Sequence, residues 1–271
     1  MNPKTLEVVT PRVFGDLVRI EDRGTVRWLT IDREDVRNAL NDEVLESLAH
    51  GIRSAREAGE LRAIVLTGSG QRAFCAGGDL KPGAKTFGFD ASVPTTSLGN
   101  LLRAAHQSDL PLIARVNGHC MAGGMGLLAM CDLAVAGDHG LFGLPEVKIG
   151  MFPMQVSAIL QNQISHRKFA ELCLTGEPID AAEALAIGLV NYVVPLADLD
   201  AKTAWLIDRV VGKSPTALRR GKHALRATRD MTIEQSIAFM ESQLITLSMT
   251  EDSREGIASF NEKRRPQWTG R

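Results

Sequence analysis

The chain has 271 residues, of which 44% are hydrophobic, 23% charged and 5% aromatic, a globular composition that excludes a disordered or fibrous design. A formal net charge of -1 excludes a general electrostatic attraction to nucleic acid or anionic membrane, so any basic site must be local. Met1 to Arg12 lacks the apolar core of a signal peptide, and apolar stretches such as Leu127 to Ala136 fall short of the ~20 residues of a membrane helix.

In chain order, the first element is a strand over Val26 to Ile31, closed by Asp32. Val44, Leu45, Leu48, Ala49 and Ile52 then recur at helical spacing, with Asn41 as N-cap and Gly59 as stop. Arg62 to Thr67 predicts a strand buried on both faces, because Ala63 to Leu66 are apolar without alternation, and Gly68 to Gly70 is its turn. Residues 71 to 100 are rich in Gly, Pro, Ser and Thr and predict a long surface loop that touches ligand. Helix resumes near Leu98 to Ser108, followed by a strand over Leu112 to Val116, a short buried helix over Gly123 to Met130 and a strand over Leu133 to Ala136. This alternation predicts an α/β core with parallel strands and crossover helices. Beyond Pro195 the periodicity is helical throughout: Leu199 to Val211, Pro215 to Thr228, Ile233 to Met249 and Asp252 to Lys263, with Ser214 as a cap before Pro215. The four cysteines, Cys75, Cys120, Cys131 and Cys173, form no Cys-x-x-Cys pair and read as buried free thiols of a reducing cytoplasm.

Three segments carry glycine where regular structure would otherwise continue. Ala73-Phe74-Cys75-Ala76-Gly77-Gly78-Asp79-Leu80 follows the buried strand, and paired glycines let backbone N–H groups face a ligand with no Cβ in the way. Asn117 to Gly126 leads into an apolar helix through Gly123-Gly124, a helix start with unpaired donors suited to an oxyanion. In Phe142 to Gly150, Glu146 sits between apolar residues, where loss of hydration disfavours its charge and makes it a competent proton carrier. Taken singly, each glycine pair reads equally as a tight turn and Glu146 as a surface carboxylate.

Together, in this order, the segments resemble the crotonase superfamily, also called the enoyl-CoA hydratase/isomerase family, from about Val13 to the C-terminus. Arg37-Asn38-Ala39-Leu40, Ala63 to Thr67, Phe74 to Leu80, Asn117 to Asp132, Phe142 to Gly150, and Thr175 to Ile179 leading to Gly188-Leu189-Val190-Asn191 carry the resemblance. It implies an α/β fold with a crotonase-like ββα spiral core over 13–197 and a C-terminal helical oligomerisation region over 198–271. It further implies a cytoplasmic enzyme of fatty acid metabolism, a homotrimer or hexamer without membrane partner, acting on an acyl-CoA thioester. No metal and no cofactor are implied beyond the coenzyme A that is part of the substrate. The family's oxyanion donors fall on Gly78 and Gly123, its proton carrier on Glu146, and the coenzyme A contacts on Asn38, Ala39, Leu40, Ala76, Gly77, Asp79 and Leu80. The segment Lys81 to Thr96 would border the acyl pocket.

Departures from the family pattern matter as much. Hydratases of the family carry a first glutamate just after the glycine triplet, where this chain has Gly126, and the triplet itself begins with Ala122. The usual glycines after Gly150 are replaced by Met151-Phe152-Pro153-Met154-Gln155, which implies a more apolar acyl pocket with Met154 in it. One glutamate suffices to move a proton between the α and γ carbons; hydration needs another group to hold water, for which Gln155, Asp79 and Asp90 are candidates. Hydration and double-bond migration both remain open, as does a branched or glutaconyl-type substrate. A non-catalytic RNA-binding relative is the other alternative, prompted by Lys263, Arg264, Arg265, Arg271 and Trp268, though nucleic acid is not the expected partner. Gly68-Ser69-Gly70-Gln71-Arg72-Ala73 has a dinucleotide-site shape, but Ala76-Gly77-Gly78 would interrupt the required helix. A Gly-x-Ser-x-Gly elbow is absent, and a covalent route through Cys75 or Cys120 with His119 as base is weaker than a packed histidine.

Overall fold

The structure, a computed structural model, describes residues 16–81 and 92–271. An antiparallel hairpin of β1 (Val18–Arg23) and β2 (Val26–Ile31) turns at Gly24, whose φ of 59° is left-handed. There follow α1 (Asp42–Glu57), β3 (Ala63–Gly68), β4 (Ala73–Cys75), α2 (Ser97–Gln107), β5 (Leu112–Val116), β6 (His119–Met121), α3 (Gly123–Ala129), β7 (Leu133–Gly137) and β8 (Leu141–Gly143). After a 3-10 turn at Pro145–Ile149 come α4 (Met154–Leu160), α5 (His166–Thr175), β9 (Ile179–Asp180), α6 (Ala181–Ala186) and β10 (Tyr192–Val194). The chain ends in α7 (Leu199–Val211), α8 (Pro215–Ala227), α9 (Ile233–Ser248) and α10 (Glu251–Asn261).

The strands form two sheets, ordered β1-β2-β3-β5-β7-β10 and β4-β6-β8-β9, parallel except at β1–β2 and β8–β9. Each spiral turn lays one strand in the large sheet, the next in the small sheet, then a helix: β3-β4-α2 and β5-β6-α3 are the clearest. The apolar run of β3 follows from this layering. Ile64 and Leu66 pack into the cluster shared with Leu45, Leu48 and Leu101 of α1 and α2, whereas Ala63 and Val65 face Leu199, Leu206 and Val210 of α7. With both faces covered, every residue of β3 is buried and no polar alternation survives. Thus α7, the first helix of the C-terminal region, is itself the backing of the large sheet.

Local signals explain the element ends. The Asn41 side chain accepts the Val44 N–H at 3.0 Å to start α1, and the Ser214 hydroxyl accepts the Ala217 N–H at 3.0 Å to start α8 with Pro215 in its first turn. Several strands differ from the sequence reading, β1 and β4 first in chain order. Val18 and Ile20 are buried at alternate positions of β1, ahead of the first element read from sequence, and β4 lies within what reads as loop, because three residues show no period. The Met1 to Arg12 stretch and most of the Lys81 to Thr96 segment, including Asp90, lie outside the described residues.

The basic C-terminal end is folded back. Asp252, 2% exposed, accepts hydrogen bonds from Ser214 Oγ (2.8 Å) and from the N–H groups of Thr269 (2.9 Å) and Gly270 (3.0 Å). Arg264 is paired with Glu255 and Glu262, and the Trp268 indole donates to Gly212 O at 3.0 Å. Two members of the cluster read as a possible nucleic-acid patch, Arg264 and Trp268, are thereby tied into ion pairs and an intramolecular clasp. No described helix is long and apolar enough to cross a membrane.

Candidate active site

Gly78, Gly123 and Glu146 are brought together by topology. In the small sheet β4, β6 and β8 run parallel side by side; Gly78 lies three residues beyond the end of β4, Gly123 two beyond β6 and Glu146 three beyond β8. All three occupy the same edge, outside the carboxyl ends of adjacent strands, where open parallel sheets bind their ligands.

Two asparagines, both fully buried, build the turn that leads into β4. Asn38 Nδ2 donates to Ala73 O (2.8 Å) and Ser69 O (3.0 Å), while its Oδ1 accepts from Arg33 N–H and Ser69 Oγ, both at 3.1 Å. Asn117 Oδ1 accepts the Gly68 N–H at 3.1 Å and its Nδ2 donates to Gly70 O at 2.8 Å. With each net hydrogen bond contributing about 1 kcal/mol, these side chains hold a turn that Gly68 permits only because a Cβ there would stand 2.4 Å from Asn38 Nδ2. The Asn38 side chain is wholly committed to this turn, so only its backbone could serve a substrate.

Leu40 then bridges to Gly78. Leu40 N–H donates to Gly77 O at 2.7 Å and Asp79 N–H donates to Leu40 O at 2.8 Å. Because successive N–H groups of an extended segment point to opposite sides, this bridge turns the Gly78 N–H away from Leu40. Gly123 is the first residue of α3 and has no intrahelical acceptor. Among the described residues, neither N–H donates to a protein acceptor. The two segments touch: a Cβ on Gly77 would lie 2.6 Å from Ala122 Cβ and 3.4 Å from Gly123 N, and the Gly77 φ of 94° is one that L side chains rarely adopt. Ala122 holds φ 51° and ψ -121°, a costly conformation for a residue with a Cβ, fixed by its N–H donating to Gly143 O at 2.9 Å.

Glu146 is half-buried in the 3-10 turn, with Oε2 buried and without a hydrogen-bond partner among the described residues. Burial raises its carboxyl above the ordinary value of 4.5. The nearby cation Lys148 is paired with Glu177 at 2.8 Å, and the Cys173 thiol is pushed up to about 11, by burial first and by the Glu146 charge second. A base with a raised pKa loses activity earlier as pH falls. The rate of Glu146-dependent proton removal is therefore expected to rise with pH and level off only above the usual carboxylate range; a profile already flat below pH 4.5 would contradict this.

The position of the second carboxylate is tightly packed. A Cβ on Gly126 would meet Val156 Cγ2 at 3.2 Å, so the valine of α4 stands where a longer side chain would have to pass. Of the water-holding candidates, Asp90 lies outside the described residues and the other two are engaged elsewhere. Gln155 Nε2 donates to Thr96 Oγ1 at the start of α2, and Asp79, 7% exposed, is paired with Arg33 at 2.9 Å, which holds its carboxyl below the ordinary range. Ala39 is buried and Ala76 half-buried beside the bridge, whereas Leu80 (61% exposed) and Met154 (72% exposed) offer apolar surface to solvent. His119 Nδ1 accepts the Leu141 N–H at 3.1 Å, and burial pushes the Cys75 thiol up to about 12, so the pair is not a nucleophile and its base. After β3 the chain turns into β4 rather than a helix, unlike a dinucleotide site.

A cavity of about 700 Å3 lined by Leu102, His106, Asp132, Leu189, Lys222 and Arg226 lies away from these groups, between α2 and α8, and includes none of Gly78, Gly123 and Glu146. Among the described residues no cluster of three or more His, Cys, Asp or Glu could hold a metal ion. Arg33 and Val156 were not singled out by sequence, and Asn117 entered only as the first residue of the Asn117 to Gly126 segment. Arg33 stands in the charged run Asp32-Arg33-Glu34-Asp35, which reads as solvated loop, and Val156 carries no motif signal.

The chain has the crotonase fold, and the candidate residues Gly78, Gly123 and Glu146 lie at the carboxyl edge of the smaller sheet. The family model described as Enoyl-CoA hydratase/isomerase matches residues 21–271. A Mycobacterium leprae protein named "Probable enoyl-CoA hydratase echA8" is 34% identical over 260 residues, covering 94% of this chain and 99% of that one. A Dictyostelium discoideum protein named "Probable enoyl-CoA hydratase, mitochondrial" is 32% identical over 252 residues, covering 92% and 89%. Among solved structures, enoyl-CoA hydratase from Mycobacterium smegmatis superimposes with a TM-score of 0.85 at 31% identity, covering 94% of this chain and 99% of that one. The chain therefore belongs to the enoyl-CoA hydratase/isomerase family, the crotonase superfamily.

Proposed function

We propose that the chain acts on an enoyl-CoA thioester, with the N–H groups of Gly78 and Gly123 donating hydrogen bonds to the thioester oxygen and Glu146 as sole proton carrier. The observation that carries this reading is the buried, unpartnered Glu146 Oε2, together with the tight contact that any side chain at Gly126 would make with Val156. Two N–H donors aimed at one oxygen favour the enolate over the thioester, because charge grows on that oxygen only as the α proton leaves. The reaction that one base completes alone is double-bond migration. Glu146 removes a proton from the α carbon of a 3-enoyl thioester; the C–H electrons form a double bond between the carbonyl carbon and the α carbon, and the C=O π electrons move onto the thioester oxygen, giving a dienolate. When the enolate electrons return, the γ carbon takes the proton back from Glu146, leaving the 2-enoyl thioester. Backbone groups of Asn38 to Leu40 and Ala76 to Leu80 would line the coenzyme A side, and Met154 the acyl side.

Hydration is the second reading, favoured by the names of the relatives. Mass analysis of products from 2-enoyl-CoA and 3-enoyl-CoA separates the two: migration converts the 3-enoyl compound at constant mass, whereas hydration adds water to the 2-enoyl compound. Gly126→Glu alone is expected to gain no hydratase activity, because Val156 blocks the new side chain, and G126E/V156A is expected to gain it. Water addition by the unaltered protein at rates matching or exceeding migration would sink the single-carboxylate reading.

We further propose a trimer or hexamer formed through the C-terminal helices. In α9 no residue is buried, and Ile233, Ile237, Leu244 and Ile245 are exposed. The free cysteines are in keeping with the cytoplasm as its compartment.

A further inference from the structure

We propose that Arg33 is a positioning residue for the oxyanion hole, its guanidinium clamping the two backbone segments whose bridge aims the Gly78 N–H. The inference rests on the reading of Gly78 and Gly123 as carbonyl donors. Arg33 follows β2; its Nη1 donates to Ala39 O at 2.6 Å and its Nη2 to Asp79 Oδ2 at 2.9 Å. Ala39 and Asp79 stand next to Leu40 and Gly78, the two residues joined by the bridge. One side chain thus holds both sides of the contact that orients Gly78. The other oxygen of Asp79 accepts the Lys81 N–H at 3.2 Å, which fixes the chain beyond the donor. The clamp extends to Gly123 as well, because Leu40 Cδ1 lies 3.0 Å from where a Cβ on Gly123 would stand.

Burial and geometry separate this pair from a surface ion pair. The Arg33 side chain is 14% exposed and that of Asp79 7%, so neither is presented to a substrate phosphate. A planar fork with several fixed donors reaches a carbonyl and a carboxylate at once; a lysine ammonium on its flexible stem does not hold two partners in a fixed plane. Turning the Gly78 N–H by a few tenths of an ångström would leave the thioester bound but its oxygen less polarised.

The test is vibrational. A saturated acyl-CoA carrying a 13C thioester carbonyl is bound to wild type, Arg33→Lys and the double variant R33M/D79N, and the carbonyl stretch is read by isotope-edited infrared difference spectroscopy alongside kcat and thioester affinity. Arg33→Met alone would leave Asp79 buried without its cation and is expected to fold poorly, whereas the double variant removes both charges. Circular dichroism verifies folding. The wild-type stretch is expected to shift to lower wavenumber than in the free thioester. In both variants it should return most of the way, with kcat down about tenfold to a hundredfold and thioester affinity changed far less. Folded variants that keep the full wild-type shift and kcat would overturn the role of Arg33 while leaving the hole standing. A wild-type complex with no shift would remove the hole itself, and this inference with it.

Discussion

Replacing Glu146 with Gln is expected to lower turnover of the enoyl-CoA substrate by about a hundredfold to ten-thousandfold, the range for loss of a general acid–base group, with little change in thioester affinity. The substitution keeps the side-chain shape and removes the only proton carrier in the proposed reaction. It also carries a stability signature. Burial raises the Glu146 carboxyl in the folded chain, so the folded state holds its proton more tightly than the unfolded state does. Stability is then unaffected by this group below the ordinary value of 4.5, falls as pH rises through the raised folded value, and is level beyond it. Glu146→Gln has no such loss. Its melting temperature relative to wild type should therefore be higher at pH 8 than at pH 4, a pH dependence that a merely disruptive substitution would not give. Retained turnover in a folded Glu146→Gln protein would remove Glu146 from the chemistry.

Gly77→Ala is expected to reduce turnover by about a hundredfold to a thousandfold while costing about 1–3 kcal/mol of stability. Gly77 contributes no donor to the proposed hole. It lies where the two donor segments cross, at a φ of 94°, and an added methyl would stand 2.6 Å from Ala122 Cβ and 3.2 Å from Met121 O. Such a contact cannot be absorbed by a flexible side chain. Either the Gly77-Gly78 or the Ala122-Gly123 backbone must move, and the two N–H groups would no longer converge on one oxygen. Because the nearer obstacle is the Ala122 methyl, adding Ala122→Gly should restore part of the activity, a coupling that a double-mutant cycle measures. Ala122→Gly alone should be active, since its N–H to Gly143 O survives and the φ of 51° suits glycine. Wild-type turnover in folded Gly77→Ala would separate this crossing from catalysis.

Much of this arrangement was legible in the sequence, for identifiable reasons. β2, β5 and α7 were read with their observed bounds because long apolar runs and helical spacing signal themselves locally, and the Asn41 and Ser214 caps stand at element starts where their side chains have a backbone partner. The short strands of the small sheet were not legible: β4, β6 and β8 have three residues each, too few to show a period, and are held by neighbours distant in sequence. The three proposed catalytic positions were carried over from the family resemblance onto segments marked by glycine pairs and an isolated glutamate. What surrounds them was hidden. The glutamate missing at Gly126 is visible in sequence, but only the packing of α4 on α3 brings Val156 beside it. Likewise Asn38 reads as a substrate contact, although its amide is taken up by Ser69, Ala73 and Arg33, contacts as much as 35 residues apart.

The central claim is that Glu146 and the two glycine N–H groups together form a thioester enolate. The most direct measurement is exchange of α-carbon hydrogen with solvent: a saturated acyl-CoA is incubated with the protein in deuterium oxide and followed by mass and proton magnetic resonance. One deuterium should enter the α carbon stereospecifically in wild type, with the rate rising through the raised pKa of Glu146, and none in Glu146→Gln. Stereospecific exchange that persists in Glu146→Gln, or no exchange at any pH by a wild-type protein that binds the thioester, would contradict the account.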